Sequence, residues 1–481
     1  MKQLSAMDNS FLTMETGTQF GHVGSLLVYE PGATYESVYR MIEERIHLLP
    51  PYRRQLVEVP MELDHPYWIE SPNFDLDFHI RHIAVPPPGD RMQLSHLVAR
   101  LAARPLDRSR PLWEYYVIEG LESGEVGHYV KTHHATIDGA SGMELATVML
   151  DDHPNAAPPP PATEPWRPEE VPTPAAVLTR TFANLATRPQ RMAEAQFRLF
   201  RELADRARPG ATPQPADAAS WWERLWNRPE AAGADDVPAL PTAPAPRTPF
   251  NGSITGHRRW AYTTLPLDEI RRVKQHFGVT VNDVVLELCA SVLRRWLIDH
   301  QAMPSDPLLA MCPVSIRTGN ESDPYANRVS GMVANLATTT SDPVERLRAI
   351  HRSTQAAKSQ LQAVPADALQ DFAQFQPPAL AAMASRMLAR SGIADRVNPP
   401  INVTISNVPG PRHPLYLGGA MLKHMYPVST ITDGMGLNMT CSSYLEQMDF
   451  GFISCREQIP DLWDMTDHLH DALAELTSAV S

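Results

Sequence analysis

The sequence predicts an α/β (α+β) protein built from two lobes of similar size. Segments that alternate as in a β-strand are interspersed with segments of helical periodicity, both before residue 151 and after residue 250. Between them, residues 151–250 contain 19 of the 46 prolines. Such a density is typical of a connecting segment rather than a packed core. We therefore assign residues 1–150 to a first lobe, 151–250 to a linker and 251–481 to a second lobe.

The individual elements follow from apolar periodicity and from stop signals such as Gly278. In the first lobe the predicted strands are Val23–Tyr29, Trp113–Glu119 and His128–His133, and the predicted helices are Tyr35–Leu48, Leu94–Ala103 and Ser141–Leu150. In the second lobe they are a strand at Trp260–Leu265, a helix over 267–277 and a long helix at Val281–Leu297. A cleft between two such lobes is the expected place for a ligand.

Composition excludes several classes of function. The chain has 42 basic and 55 acidic residues, a net charge of −13, which disfavours nucleic acid as a partner. The mean hydropathy is −0.28, and no apolar stretch approaches the roughly 18 residues that cross a bilayer. The N-terminus has no apolar block of the signal-peptide type. We expect a protein that neither spans a membrane nor is exported.

The four cysteines are Cys289, Cys312, Cys441 and Cys455. They lie far apart and form no Cys-x-x-Cys pair, a pattern that fits neither a disulfide framework nor a thiolate zinc site. We predict reduced thiols in a cytosolic protein.

Helical periodicity returns inside the linker, over residues 175–208, where Pro189 is expected to separate two helices. This stretch contains seven arginines against three acidic residues, and Trp221, Trp222 and Trp226 follow it. One interpretation is an amphipathic segment on an anionic lipid surface. The other, which we favour, is a strut whose helices pack on the two lobes.

The strongest chemical signal is the segment His133-His134-Ala135-Thr136-Ile137-Asp138-Gly139. Alternation along the preceding strand predicts that His133 and His134 point to opposite faces, and Asp138-Gly139 predicts a turn. An imidazole at the end of a strand, before a turn, is well placed to face a cleft. Its ordinary pKa near 6.5 suits a general base at neutral pH.

Other chemistries fit the sequence less well. Two histidines on opposite faces of a strand do not converge on one metal ion, so we predict no metal site. Gly139-Ala140-Ser141-Gly142 has the wrong spacing for a nucleophile elbow, and neither a phosphate-binding P-loop nor a dinucleotide fingerprint occurs. A histidine base without a partner nucleophile indicates direct transfer between two substrates.

The segment matches the HHxxxDG signature of the CoA-dependent acyltransferase superfamily. Further segments resemble the bacterial wax ester synthase/acyl-CoA:diacylglycerol acyltransferase family. They are Leu4-Ser5, Asp8, Phe11-Leu12 and Glu15, Pro111-Leu112-Trp113, Asn282-Asp283-Val284-Val285-Leu286, and Ile405-Ser406-Asn407-Val408-Pro409-Gly410-Pro411. The resemblance implies two chloramphenicol acetyltransferase-like lobes with mixed sheets and a substrate tunnel between them.

The resemblance also implies roles for single residues. His134 becomes the catalytic base and His133 a supporting residue. Asp138, followed by Gly139, holds its loop through Arg317 of the other lobe. Such a clamp would cost several kcal/mol to break from one side if it is buried.

The pair Asn282-Asp283 is implied to be needed for activity. Thr280-x-x-Asp283 fits a capping box, so Asp283 is expected to serve the helix. Asn282 stands at the head of an apolar helical stripe and is a candidate to stabilise the oxyanion.

Substrate-binding roles are implied for Glu15, for Pro111, Leu112 and Trp113, and for Ser406 and Asn407. For Pro111-Leu112-Trp113, a packed proline turn with a core tryptophan is at least as plausible from the residues alone.

The implied activity is O-acyl transfer from acyl-CoA, as co-substrate, to diacylglycerol, with no cofactor and no acyl-enzyme. Long-chain alcohols, which would give wax esters, are the alternative acceptors. The rival hypotheses are a condensation-type transferase that uses a carrier protein, and a catalytically silent lipid-surface protein. Water-insoluble substrates imply a cytoplasmic protein that is peripheral to the inner membrane face or to lipid droplets.

Overall fold

Two six-stranded sheets organise the molecule in the computed structural model, which describes residues 1–137, 139–163, 166–187, 244–315, 327, 329–363, 379, 383, 386–387 and 391–480. The first sheet has the strand order β12-β13-β2-β7-β6-β5 and the second β10-β9-β11-β14-β15-β8. A three-stranded sheet, β1-β4-β3, lies beside the first lobe. The strands are β1 Lys2–Gln3, β2 His22–Tyr29, β3 Arg54–Val57, β4 Tyr67–Glu70, β5 Ile80–Ala84, β6 Trp113–Glu119, β7 Val126–His133, β8 Arg258–Pro266, β9 Leu309–Ser315, β10 Val329–Asn335, β11 Val403–Pro409, β12 Tyr416–Leu417, β13 Ala420–Val428, β14 Leu437–Tyr444 and β15 Gln447–Cys455.

Both large sheets are mixed, as predicted. β5 pairs with β6 in parallel, and β11 is parallel to both β9 and β14, whereas the other pairs are antiparallel. The helices are α1 Ala6–Thr13, α2 Tyr35–Arg45, α3 Pro50–Arg53, α4 Leu76–His79, α5 Arg91–Ala102, α6 Gly139–Met149, α7 174–187, α8 Leu267–Phe277, α9 Val281–Asp299, α10 Pro343–Ala363 and α11 Asp464–Ser478.

The predicted elements are confirmed with small shifts of their ends. Trp113–Glu119 is a strand over the predicted range, and the long helix runs to Asp299 instead of Leu297. Helix α8 ends at Gly278, whose φ of 67° is left-handed, the conformation that glycine adopts at least cost. The helix predicted over Tyr35–Leu48 is α-helical only to Arg45 and then tightens into a 3₁₀ turn over Ile46–Leu48.

The second segment of the chain contributes two strands to the sheet of the first lobe. Strands β12 and β13, at positions 416–428, belong to the first-lobe sheet, where β13 pairs antiparallel with β2. A buried network fixes this crossing, because the Asp449 carboxylate on β15 accepts hydrogen bonds from Thr264 Oγ1 (2.6 Å) and from the Met425 backbone N–H (2.7 Å). The two lobes are therefore joined, because part of the C-terminal sequence lies in the sheet of the first lobe.

The part of the linker that the structure describes packs on the protein. Helix α7 lies against the small sheet, where Val177 is buried and Asn184 Nδ2 donates to the Tyr67 hydroxyl at 2.8 Å and to Asp64 at 3.1 Å. This arrangement favours the strut for α7, although its Phe182 ring is 61% exposed. Pro189, the helix predicted after it and the three tryptophans lie outside the described residues.

Within the described residues, no single helix is both long and apolar enough to cross a bilayer. Helices α8 and α9 would reach the required length only together, and the chain bends by 105° between them. All four cysteines are buried free thiols, as predicted.

Candidate active site

The histidine pair lies where β7 ends. β7 pairs with β2, which places His133 opposite His22. The backbone N–H of His133 donates to the carbonyl of Leu112 at 2.9 Å, and the chain then turns at His134. The segment before β2 also stabilises this turn, because the backbone N–H of His134 donates to the carbonyl of Gly21 at 2.7 Å.

His133 is buried and uses both of its ring nitrogens within the protein. Its Nδ1 accepts the backbone N–H of Ala135 at 3.0 Å, so the ring proton lies on Nε2, which donates to Glu15 Oε1 at 3.0 Å. A ring committed in this way orients the turn and has no nitrogen left for a substrate. The supporting role proposed for His133 agrees with this geometry.

The Glu15 carboxylate, for which the resemblance implies a substrate contact, is bound within the protein. The Glu15 carboxylate accepts hydrogen bonds from His133, from the Gly21 backbone N–H (2.9 Å) and from the Arg108 guanidinium (2.7 Å). Burial opposes its ionisation, but the hydrogen bonds from His133 and from the Gly21 backbone outweigh that effect and lower the Glu15 pKa to about 2. Glu15 is therefore an ionised anchor for His133.

Glu15, His22 and His133 also approach closely enough to be considered as metal ligands, with one donor atom of each within 4.8 Å of the others. Each of these atoms already has a protein partner. His22 Nε2 accepts the backbone N–H of Leu106 at 3.3 Å, and Arg108 supplies the positive charge beside Glu15. Burial lowers the His22 pKa well below its ordinary value, so the ring is neutral. Hydrogen bonding and the arginine thus account for this cluster without a cation.

His134 has different surroundings from its neighbour. The ring is partly exposed and stacks on Phe11 of α1, with centroids 3.9 Å apart and planes 6° from parallel. Its Nδ1 lies 3.1 Å from Oδ1 of Asn327, a residue of the other lobe. An amide oxygen only accepts, so Nδ1 carries the proton and Nε2 the lone pair.

Asn327 is itself held by two further contacts. Its side-chain Nδ2 donates to Asp8 Oδ1 and to the backbone carbonyl of His134, both at 2.6 Å. Asp8 lies on α1, is 6% exposed, and also accepts hydrogen bonds from the Ser5 hydroxyl and backbone. The network joins α1, the histidine turn and the second lobe at one point.

The second pair of predicted site residues, Asn282-Asp283, lies in the first turn of helix α9. The predicted capping box is confirmed: Asp283 N–H donates to Thr280 Oγ1 at 3.2 Å, and the Asp283 carboxylate accepts the Thr280 backbone N–H at 2.9 Å. Asp283 also accepts from His351 Nδ1 (2.8 Å) and Thr354 Oγ1 (2.6 Å) on α10. Asp283 therefore joins two helices, while Asn282 is partly exposed beside it.

The resemblance implies substrate contacts at Leu112 and Trp113, and the structure places both residues in the core. Both side chains are 0% exposed. Trp113 stacks between Tyr52 and His79, with centroids 4.6 and 4.2 Å away, and its indole N–H donates to the Tyr52 carbonyl. No face of the ring remains for an acyl chain, and the buried Pro111 completes a core turn.

The remaining predicted site residues lie on β11 or in segments that the structure does not describe. Ser406 and Asn407 are partly buried on β11, opposite Thr440 and Cys441 of β14. Asp138 and Arg317 lie outside the described residues. Gly139 is the first residue of helix α6. The predicted clamp between Asp138 and Arg317 therefore stays a prediction.

Sequence reasoning missed the residues that position the histidines. Asn327, Arg108 and Gly21 carry no local pattern that marks them as part of a site. Asp8 and Phe11 belong to the segments that resemble the family, but the resemblance implies no role for either residue. The available signal was the cluster of such residues in the first 15 positions, which no apolar periodicity explains.

Family models match most of the chain. The wax ester synthase/diacylglycerol acyltransferase catalytic domain matches residues 4–285, and the WS/DGAT C-terminal domain matches residues 325–477. A Mycobacterium tuberculosis protein named "Probable diacyglycerol O-acyltransferase tgs2" is 36% identical, covering 98% of each chain. The O-acyltransferase WSD of Acinetobacter baylyi is 31% identical over 98% of this chain and 96% of its own.

Solved structures confirm the two-lobed fold. The wax ester synthase/diacylglycerol acyltransferase from Marinobacter aquaeolei VT8 is 31% identical, with a TM-score of 0.65 and full coverage of both chains. The first condensation domain of the CDA synthetase has a TM-score of 0.55 at 15% identity, covering 99% of this chain and 95% of its own, a likeness of fold alone.

Proposed function

This chain belongs to the wax ester synthase/diacylglycerol acyltransferase family and is an O-acyltransferase, and on that premise we propose that it esterifies diacylglycerol with a long-chain acyl group from acyl-CoA, with His134 as the base. The observation that carries the assignment is the contrast within the histidine pair. Both ring nitrogens of His133 are bonded inside the protein, whereas His134 is partly exposed at the turn. His134 is then the imidazole that an incoming hydroxyl can reach.

The reaction proceeds in one transfer. Nε2 of His134 takes the proton of the acceptor hydroxyl while the oxygen adds to the thioester carbonyl. The tetrahedral intermediate collapses, the C–S bond breaks, and the imidazolium returns the proton to the CoA sulfur. General base action of this kind contributes about 10²- to 10⁴-fold, so alignment of the two substrates supplies much of the remaining rate enhancement.

Asn282 is the proposed oxyanion donor. Its side chain stands at the N-terminus of α9, a 19-residue helix whose dipole favours negative charge at that end. Its neighbour Asp283 is 0% exposed and tied into α10. An amide donor in this place would act on the charge that develops in the transition state.

A cytoplasmic location on the inner membrane face or on lipid droplets is part of the proposal, as is the absence of any cofactor besides the acyl-CoA co-substrate. Water-insoluble acceptors support the location, and so does the exposed Phe182 on α7. Flotation with anionic liposomes tests it. Equal flotation of the full chain and of a chain lacking residues 175–230 would remove the linker from the proposal.

The activity test is thiol release from palmitoyl-CoA with a panel of acceptors, with the ester products identified by mass spectrometry. We expect triacylglycerol from diacylglycerol and, as the alternative acceptor reaction, wax ester from hexadecanol. Turnover with palmitoyl-acyl carrier protein but not palmitoyl-CoA would favour the condensation-type hypothesis. Liposome binding without thiol release from any acceptor would favour a silent lipid-surface protein.

A further experiment tests whether an acyl-enzyme forms. Rapid quench with radiolabelled palmitoyl-CoA and no acceptor should leave the polypeptide unlabelled. A stable palmitoylated peptide that is then consumed by diacylglycerol would overturn the direct transfer.

A further inference from the structure

We propose that Asn327, held by Asp8, is the positioning residue that sets the tautomer of His134 and thereby keeps Nε2 as the base. The inference rests on the proposed role of His134 and adds to it two residues that lie 319 positions apart in the sequence. Neither belongs to the HHxxxDG motif.

The orientation of the Asn327 amide follows from its partners. Asp8 Oδ1 lies 2.6 Å from Nδ2 and 3.3 Å from the backbone N of Asn327, and because a backbone N–H only donates, this oxygen is an acceptor. Its other oxygen, Oδ2, accepts from Ser5. With donors on both oxygens, Asp8 holds the NH₂ group on its own side, and the amide oxygen must face the imidazole.

A second contact of the amide makes a flip costly. Nδ2 also donates to the main-chain carbonyl of His134 at 2.6 Å. If the amide turned over, its oxygen would face two acceptors, Asp8 and this carbonyl. Asn327 is 3% exposed, so water cannot compensate for the lost hydrogen bonds.

The consequence at His134 is a defined tautomer. The Asn327 oxygen, 3.1 Å from Nδ1, requires the proton on Nδ1. Phe11, stacked on the ring at 3.9 Å, restricts its tilt. Because the amide is uncharged, it orients the ring without stabilising the protonated imidazole as strongly as a carboxylate would, which suits a base that must be neutral before each turnover.

The first test compares Asn327→Ala with Asn155→Ala, a matched change at an exposed linker position. We expect Asn327→Ala to lower kcat by about 10- to 100-fold, below the roughly 10⁴-fold loss that a wrongly fixed tautomer can cause. The KM for palmitoyl-CoA should change less than about twofold, because a positioning residue does not contact the substrate. Asn155→Ala should match the wild type.

The second readout is spectroscopic. In ¹⁵N-histidine-labelled protein, the His134 signals are assigned by their loss in His134→Ala. We expect a protonated Nδ1 in the wild type and a mixture of tautomers in Asn327→Ala. An unchanged Nδ1–H signal together with wild-type kcat in Asn327→Ala would overturn the proposal, whether or not His134→Ala is inactive.

A third variant keeps the test decisive if Asn327→Ala folds poorly. Asp8→Asn combined with Asn327→Asp exchanges the two groups, so that an amide donates to a carboxylate that now faces Nδ1. The exchange gives up the hydrogen bond to the His134 carbonyl, so the melting temperature of this variant is measured beside its kinetics. A carboxylate beside an imidazole favours its protonated form, so the acid limb of the kcat/KM profile should move to higher pH by about one pH unit or more. A profile that matches the wild type would contradict the contact between residue 327 and His134.

Discussion

The carbonyl oxygen of Gly21 accepts the backbone N–H of His134 at 2.7 Å, so the strand-entry segment before β2 holds the turn that presents the proposed base. Gly21 is also packed closely. A Cβ at this position would lie 2.7 Å from the Phe11 carbonyl oxygen and 3.1 Å from Cε1 of His133. The position therefore excludes any side chain without movement of the site.

Gly21→Ala is expected to displace this segment, to lower the free energy of unfolding by about 1–3 kcal/mol and to reduce kcat. The control is Gly17→Ala, where a new methyl group has no atom within 4 Å and should change stability by less than about 0.5 kcal/mol. Urea unfolding and thiol-release assays on both variants make the comparison. Equal effects at the two positions would contradict the packing argument.

The histidine pair predicts opposite phenotypes for neighbouring substitutions. His134→Ala should lower kcat by about 10²- to 10⁴-fold with little change in melting temperature, since the ring is partly exposed. His133→Ala removes one of the buried hydrogen-bond partners of Glu15 and the acceptor of the Ala135 N–H, and should destabilise the fold by about 3 kcal/mol. Steady-state kinetics and thermal unfolding separate the two. A severe kinetic loss in His133→Ala with a mild one in His134→Ala would reverse the assignment.

Asn282 and Asp283 form a second contrasting pair. Asn282→Ala should lower kcat by about 10²-fold or more, as expected for loss of an oxyanion donor, with the fold unchanged. Asp283→Ala removes the side-chain half of the capping box of α9 and the bonds to His351 and Thr354, so the main loss should be in stability, by about 2–4 kcal/mol. The measurements are kcat at saturating palmitoyl-CoA and urea unfolding. An Asn282→Ala enzyme with wild-type kcat would exclude the oxyanion role.

His128 predicts a pH dependence of stability. The ring is fully buried, and burial lowers its pKa from 6.5 to about 4, only partly opposed by its hydrogen bond to the Ala33 carbonyl. Between these two values the unfolded chain binds a proton that the folded chain does not. The stability contributed by the neutral ring is therefore present above pH 6.5 and is lost as pH falls towards 4, by about 3 kcal/mol.

Urea unfolding of the wild type and of His128→Gln between pH 7 and pH 4 measures this contribution. The difference between the two slopes isolates His128 from the other histidines. The variant should be less stable at pH 7 because it loses the Tyr115 contact, but it should lose about 3 kcal/mol less on acidification. Parallel curves would show that the histidine does not change its pKa on folding.

Local signals in the sequence predicted much of the fold. The strand Trp113–Glu119, the helices that begin at Leu267 and Val281 and the capping box at Thr280 all depend on residues within a few positions of one another. The HHxxxDG segment is equally local, so His134 could be named as the candidate base before any coordinates. By contrast, the family resemblance implies a substrate role for Trp113, and only the tertiary structure shows the rings of Tyr52 and His79 stacked on it.

What the sequence alone could establish about this protein was its α/β class, its two lobes, its acyltransferase resemblance and the identity of its histidine pair. The tertiary structure decided which groups hold that pair: Glu15 and His133 are 118 residues apart, and Asn327 lies 193 residues from His134 and 319 from Asp8. It also placed β13 beside β2 in the first-lobe sheet. The physical reason is that periodicity and caps report on neighbours along the chain, whereas these hydrogen bonds exist only after the two lobes have packed.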